Sequence, residues 1–140
     1  MKKAEEIAVN FARITLAAVF IMNIACALDF ILRPGLYAGG FEVSGEVGRV
    51  IVQSFGILFL MWNATYPPVI WQPHKHRTLF AVILVQQLIG VVGESWLYFS
   101  LDASHVALRA TGLRFIIFDG LGLVLMGFAF VMLFKRNPNP

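Results

Sequence analysis

Two carboxylates stand inside hydrophobic stretches of this sequence, and their chemistry most needs an explanation. Glu94 interrupts IGVVGESWLY (89–98), and Asp119 interrupts FIIFDGLGLV (115–124). A carboxyl group surrounded by lipid must find a hydrogen-bond partner or a counter-ion, bind a ligand, or exchange a proton. The two acids therefore indicate either a functional site or a buried polar network that only fixes how the helices fit together.

The composition and the length of the apolar runs place these acids in a membrane protein. The 140 residues are 59% hydrophobic and 14% charged, whereas a soluble domain is about half apolar and about a quarter charged. Four apolar runs reach the roughly 20 residues that a helix needs to cross a bilayer. They are residues 7–32, 48–71, 78–100 and 113–134. The sequence predicts an all-α fold, a four-transmembrane-helix bundle that forms a single domain of residues 1–140.

Counting residues along each predicted span puts the polar side chains at a similar depth. Glu94 lies about 24 Å along the third span, through a hydrocarbon core of about 30 Å. Asp119 lies about 9 Å from the same membrane boundary, on a span that runs the other way. Gln53, on the second span, is about 8 Å deep by the same measure. We therefore expect these groups to meet in the outer third of the bilayer.

Arginines near the same boundary are the expected counter-ions. Arg49 and Arg114 lie near the starts of the second and fourth predicted spans. We expect them to neutralise the two buried acids. Asp29 precedes Arg33 by four residues, a spacing at which opposite charges meet on a helix, and we expect a local pair there.

Each predicted span carries one stripe of polar and small residues, spaced by three and four positions. Gln87, Gly90 and Glu94 follow this spacing on the third span, and the remaining surface is aliphatic or Phe. Lipid cannot satisfy polar groups, so we expect the four stripes to face one another. The predicted polar pocket consists of Glu94, Asp119, Gln53, Arg49, Arg114, Asp29 and Gln87.

Basic residues predict the orientation of the chain. The two termini and the loop around residue 75 hold six Lys and Arg, and the other two loops hold four. The positive-inside rule then predicts that both termini are cytoplasmic. We expect a multi-pass protein of the bacterial inner membrane, with the lipid bilayer as its partner. The same residues account for the net charge of +3 without a nucleic-acid partner.

Thiol, metal and enzymatic chemistry receive little support from the sequence. The single cysteine, Cys26, rules out an intrachain disulfide and a Cys-based zinc site. His74 and His76 have an HxH spacing without a visible third ligand, so contact with lipid headgroups is favoured over a metal site. The sequence contains no Gly-rich phosphate loop, Ser-His-Asp set or HExxH motif, and it identifies no catalytic residue. No motif implies a cofactor, although a quinone or a lipid would suit the predicted pocket.

One part of the chain resembles a known family. The segment from RPGLYAGGF to EVGRVIVQSFGILFL, with four spans in 140 residues, resembles the first half of small DoxX-like bacterial membrane proteins. LRFIIFDGLGL resembles their last span. Some DoxX relatives are linked to quinol-oxidising complexes and others act as membrane accessory proteins, so the resemblance implies a lipophilic or redox setting. It covers architecture only, and no functional residue is carried over from it.

Three functions are compatible with these observations. The leading hypothesis is a small integral membrane protein whose outward-facing polar pocket binds a small amphiphile, such as a quinone or a lipid. The main alternative is an accessory subunit of a larger membrane complex, in which the buried charges only fix helix packing. A third is a proton-coupled transporter that titrates Glu94 or Asp119. Association with other membrane subunits or with further copies of the chain stays open, because the one GxxxG motif, Gly35 to Gly39, lies in a predicted loop.

Overall fold

The computed structural model of the protein describes residues 2–135, and this part of the chain is helical without any strand. The helices are α1 (Lys2–Leu32), α2 (Gly35–Ala38), α3 (Gly45–Asn63), α4 (Tyr66–Trp71), α5 (Arg77–Ser100) and α6 (Val106–Phe134), with a 3-10 turn at Gly39–Phe41. Four stretches are long and apolar enough to cross a membrane: Lys3–Leu32, Gly45–Trp71, Arg77–Ser100 and Val106–Phe134. The predicted all-α fold with four potential spans is confirmed.

The second span consists of two helices instead of one. α3 ends at Asn63, and α4 begins at Tyr66 with Pro67 and Pro68 in its first turn. Proline suits the first turn of a helix because its missing N–H would have no partner there. Arg13 of α1 donates a hydrogen bond to the Trp71 carbonyl at the end of α4, at 2.8 Å, and satisfies one of the free carbonyls of that helix end.

The helix that contains the fourth predicted span starts before residue 113. α6 already begins at Val106, inside the segment that the sequence placed in a loop. Arg109 lies in this first part of α6. In the structure its guanidinium folds back onto the end of α5, where it donates to the carbonyls of Tyr98 at 3.1 Å and Leu101 at 2.8 Å. It also lies over the Tyr98 ring, 4.4 Å from the centroid.

The helices run up and down, so the bundle has two distinct ends. The α2 end holds residues 33–44 and 101–105, and the terminal end holds the start of α1, residues 72–76 and the end of α6. α5 lies against α6 and α1 against α3, and α1 also contacts α6. α4 contacts both α1 and α5, whereas α3 has no comparable contact with α5 or α6. α4 therefore joins the two helix pairs towards the terminal end, and the 3-10 turn Gly39–Phe41 contacts α6 at the α2 end.

A hydrophobic core fills the half of the bundle towards the terminal end. Its fully buried side chains come from α1, α4, α5 and α6 and include Leu16, Tyr66, Val69, Phe80, Ile83 and Met126. Many large apolar side chains point outward instead, among them Phe99, which is 81% exposed, and Val124, which is 68% exposed. Such extensive apolar surface is unfavourable in water and is the surface that a lipid-facing helix presents. The structure has the properties of a multi-pass membrane protein.

Glycine allows α1 and α3 to approach each other closely. A Cβ atom on Gly56 would lie 2.7 Å from the Ala27 carbonyl oxygen and 2.7 Å from Cγ1 of Ile31. Backbone atoms cannot move away as a flexible side chain can. The residue type at position 56 therefore fixes the distance between these two helices.

We expect Gly56→Ala to lower the thermal midpoint of the protein in detergent. The added methyl group overpacks the interface, which costs about 1–3 kcal/mol, more than the helix propensity gained from Gly to Ala. The control is Gly93→Ala on α5, where a Cβ would meet nothing within 4 Å. The control is expected to keep or raise the midpoint, followed by tryptophan fluorescence on heating. Equal midpoints for the two variants would contradict a close α1–α3 contact.

Candidate functional site

A cavity of about 350 Å³ lies between the α1–α3 pair and the α5–α6 pair, near the α2 end. Its volume falls in the range of small-molecule sites, about 300–1,000 Å³. We call it the aromatic cavity. It is lined by Phe30, Phe41, Phe55, Phe59, Glu94, Leu97, Tyr98, Leu101, Leu108, Thr111, Gly112 and Phe115. α3 makes little backbone contact with α5 or α6, and the cavity lies in the space between them.

Contacting phenylalanine rings form the wall of the aromatic cavity on the α1–α3 side. Phe30 is 2% exposed and lies at the centre of this cluster. Its ring centroid is 5.8 Å from that of Phe59 and 5.7 Å from that of Phe41, and the Phe41 ring is 5.3 Å from Phe55. These separations are typical of favourable aromatic pairs. The rings present a fixed apolar surface towards the cavity.

Glu94 contributes a carboxyl group to this apolar lining. Its Oε2 atom is buried and has no hydrogen-bond partner among residues 2–135. Nearly all buried polar side-chain atoms in proteins have a partner, so an unsatisfied one calls for an explanation. Leaving a charged or polar group in this condition costs about 1–3 kcal/mol or more. Glu94 is therefore the polar group of the aromatic cavity that remains able to bind something else.

Asp119 is held firmly within the protein. Nε2 of Gln87 donates to Oδ1 of Asp119 at 2.8 Å, and also to the Asp119 carbonyl at 3.3 Å. The Tyr66 hydroxyl donates to Oε1 of Gln87 at 3.4 Å, which extends the network to α4. Gly90 makes room for the acid, because a Cβ there would lie 2.8 Å from Oδ2. The network links α4, α5 and α6.

A second cavity of about 230 Å³ adjoins the first. We call it the polar cavity. It is lined by Met22, Asn23, Cys26, Phe59, Trp62, Asn63, Arg114, Phe115, Phe118 and Asp119. Nδ2 of Asn23 donates to Oδ1 of Asn63 at 3.3 Å, and Nδ2 of Asn63 donates to the Phe59 carbonyl at 2.8 Å. Phe59 and Phe115, with ring centroids 6.1 Å apart, line both cavities and lie between them.

The predicted ion pairs between the arginines and the two buried acids are wrong. Arg49 instead pairs with Glu46, one turn away on α3, and donates to Oε1 of Gln53 at 2.8 Å. Arg114 lines the polar cavity, but within residues 2–135 it forms no salt bridge with a carboxylate inside 4.0 Å. The physical reason is proximity, because a partner on the same exposed helix surface is reached without bringing a guanidinium into the bundle.

The remaining predicted pocket residues lie at the edge of the site. Asp29 forms the expected local pair with Arg33, at 3.9 Å, and accepts a hydrogen bond from the Tyr37 hydroxyl at 2.9 Å. Gln53 donates to the Ile31 carbonyl at 3.0 Å and so bridges α3 to α1. Neither Asp29 nor Gln53 lines the aromatic or the polar cavity.

The structure thus divides the predicted pocket into three parts. The first is the set at the edge of the site: Arg49, Gln53 and Asp29. Gln87 and Asp119 form the buried network, with Arg114 beside it. Glu94 stands in the adjoining aromatic cavity. The residues that sequence reasoning missed are mainly aromatic and amide side chains. Phe55 and Phe59, four positions apart on α3, carried a signal for one ring-lined helix face. Asn23 of α1 donates a hydrogen bond to Asn63 of α3, and no sequence pattern predicts this pair.

Residues 39–42 cover the α2 end of the aromatic cavity and are fastened to α6. The Thr111 hydroxyl donates to the Gly40 carbonyl at 2.8 Å. Oε1 of Glu42 accepts the Leu108 backbone N–H at 3.1 Å, and Oε2 lies 2.6 Å from Nδ1 of His105. These hydrogen bonds, the one to His105 above all, lower the pKa of Glu42 below its ordinary value. A carboxylate at a helix N-terminus is also favoured by the helix dipole.

Comparisons with protein-family models, with curated proteins and with solved structures found no match. In residues 2–135, no group of three or more His, Cys, Asp and Glu side chains is arranged to hold a metal ion. The chemistry of the two cavities must therefore be argued from their own geometry.

We expect the Glu42 contact to depend on pH in a defined direction. A carboxyl group whose pKa is lower in the folded state stabilises the fold above its unfolded pKa, near 4.5, and loses this effect as the pH falls through the folded value. Glu42→Gln should lower the thermal midpoint at pH 7, and the difference from wild type should shrink as the pH falls below 4.5. Replacing His105 by Gln in both proteins should shrink the difference. A difference that persists at low pH would contradict this assignment.

We expect Gln87→Leu to destabilise the protein by about 1–3 kcal/mol, because Asp119 then loses its partner inside the bundle. Thermal unfolding in detergent measures the effect. The control is Gln86→Leu at the adjacent half-buried position, where the amide has one long contact, 3.3 Å from the Thr65 hydroxyl. Adding Asp119→Leu to Gln87→Leu should cost less than the sum of the single changes. Strict additivity would show that the two side chains do not interact.

Proposed function

We propose that the protein is a small integral membrane protein that binds a small amphiphile in the aromatic cavity, with Glu94 as its polar contact. The observation that carries this proposal is the Oε2 atom of Glu94, buried and unpartnered within the described chain, in a cavity otherwise walled by rings and aliphatic groups. A ligand with one hydrogen-bonding group and an apolar body satisfies the carboxyl group and fills the remaining space.

The ligand class follows from the two kinds of surface that the cavity offers. Phenylalanine rings favour offset or edge-on contact with another ring, and they accept an aliphatic chain equally well. A carboxylate accepts hydrogen bonds from hydroxyl groups, whereas a protonated carboxyl group donates one to a carbonyl oxygen. A quinone or quinol headgroup has such oxygens on a flat ring, and a neutral lipid has them at one end of its chains. α3 and α5 make little backbone contact, and we propose that an apolar tail leaves the cavity between them.

The proposal includes the setting of the protein. We place both termini in the cytoplasm and the α2 end, with the aromatic cavity, towards the outer leaflet of a bacterial inner membrane. The support is the excess of Lys and Arg at the terminal end. The resemblance of residues 33–60 to small DoxX-like membrane proteins favours a lipophilic ligand in the same way, and DoxX-like membership is part of this proposal.

The second candidate function is an accessory subunit whose buried charges only fix helix packing. One observation favours it, namely that Gln87 already satisfies Asp119. For Asp119 alone this explanation is sufficient. It does not extend to Glu94, because a group that fixes helix packing needs a partner in the protein.

The two functions predict opposite effects of removing Glu94. If the acid binds a ligand, Glu94→Leu removes an unsatisfied carboxyl group and should keep or raise the thermal midpoint. Ligand retention in native mass spectrometry should fall at the same time. Binding of a benzoquinone with a short isoprenoid tail, followed by tryptophan quenching, should weaken about tenfold, the equivalent of about 1.4 kcal/mol. Glu6→Gln, which changes an exposed acid on α1, is the control and should bind as wild type does.

The contrary result is equally clear. A lower midpoint for Glu94→Leu with unchanged small-molecule retention would support the packing role. Co-purification of other chains in mild detergent would then point to the accessory subunit.

A further inference from the structure

The terminal end of the bundle holds a third cavity, which has basic residues in its lining. It lies at the opposite end of the bundle from the aromatic cavity that contains Glu94. It measures about 630 Å³ and lies between residues 74–79 and the end of α6. Lys75 and Arg77 contribute two permanent positive charges to its lining, and His74 and His76 contribute ring nitrogens. We call it the basic cavity.

The two cations of the basic cavity are free to bind an anion. Glu5 of α1 is the one acid among the residues that line it. All three ion pairs found within residues 2–135 lie at the α2 end, and none involves Lys75 or Arg77. The Arg77 guanidinium instead lies over the Phe134 ring, 5.4 Å from the centroid, which positions it without neutralising its charge.

Apolar side chains form the rest of the lining. Leu79 and Val82 follow Arg77 along α5, and Leu133 and Phe134 stand opposite on α6. Moving from residue 75 into the bundle, the lining therefore changes from cationic to aliphatic and aromatic. A free inorganic anion would contact only the first part, whereas a phospholipid has a phosphate followed by acyl chains in the same order.

We propose that the basic cavity binds one anionic phospholipid, with its phosphate between Lys75 and Arg77 and the start of an acyl chain along Val82 and Leu133. Arginine offers a planar set of N–H donors to phosphate oxygens, and lysine adds a point charge. Basic groups at headgroup level attract anionic lipids in general. The defined cavity beneath them distinguishes this site from diffuse attraction. The proposal does not depend on the function assigned to the aromatic cavity.

The test compares two pairs of charge-removing changes at the same end of the bundle. The protein is purified in detergent, phosphatidylglycerol or phosphatidylcholine is added, and bound lipid is measured by native mass spectrometry and by the thermal midpoint. Wild type should retain phosphatidylglycerol preferentially. Lys75→Gln with Arg77→Gln should weaken this binding about tenfold or more. Lys3→Gln with Lys135→Gln removes two cations that do not line the basic cavity and should leave the binding unchanged.

Three further measurements make the test decisive. Lys75 and Arg77 are exposed, so their variants should fold with an unchanged midpoint without lipid, and Lys75→Arg with Arg77→Lys should restore binding. Val82→Asn should weaken binding, whereas Val85→Asn, at an exposed position outside the cavity, should not. The proposal is overturned if both charge pairs weaken binding equally, if phosphatidylcholine binds as well, or if inorganic phosphate alone reproduces the stabilisation.

Discussion

The hydrogen bond from Gln87 to Asp119 lies between two different halves of the bundle. One half has a packed apolar core, and the other contains the aromatic cavity. A carboxyl group inside a lipid-facing bundle must be satisfied by protein groups, because the surrounding hydrocarbon offers none. The side-chain amide of Gln87 meets this need at 2.8 Å, and its other end accepts a hydrogen bond from Tyr66. α4, α5 and α6 are therefore tied together at one level. The apolar core extends from there towards the terminal end.

Glu94 is a carboxyl group inside the bundle whose buried oxygen has no hydrogen-bond partner among residues 2–135. It follows Gly90 by one helical turn on α5, so it points to nearly the same side of the helix as the space that holds Asp119. α3 makes little backbone contact with α5 or α6, and phenylalanine rings line the space beside Glu94. No amide reaches the carboxyl group. Two acids that look equivalent in the sequence thus have different environments: Asp119 is hydrogen-bonded by Gln87, and Glu94 keeps a buried oxygen without a partner among residues 2–135.

The sequence predicts the parts of this structure that depend on periodicity and length. Apolar runs identified the four potential spans, and the three- and four-residue spacing of Gln87 and Gly90 identified the α5 surface that meets Asp119. Gly93 stands next to Glu94 on the same helix, but a Cβ there would meet nothing within 4 Å. Glycine alone does not reveal which of two positions faces a partner.

The partners of the charged residues could not be predicted in the same way. Counting residues gives the depth of a side chain but not the direction in which a long side chain bends. Arg49 lies at the expected depth, but its ion pair is with Glu46, which is one turn away on the same helix surface. Arg109 also binds a neighbouring part of the chain, the carbonyls at the end of α5. Local partners outcompete distant ones because fewer side-chain rotamers must be fixed.

Under the two proposals, the charges at the two ends of the bundle select different classes of ligand. Near the α2 end, Glu94 and Asp119 stand close to the cavities and no cation is paired with either of them in the described chain. An anionic ligand there would meet carboxyl groups in a medium of low dielectric constant, where repulsion is strong. A neutral molecule with a hydrogen-bonding group avoids that cost. At the terminal end, Lys75 and Arg77 make the opposite selection. A single bilayer supplies both classes of molecule, and the basic cavity and the aromatic cavity lie at opposite ends of the bundle.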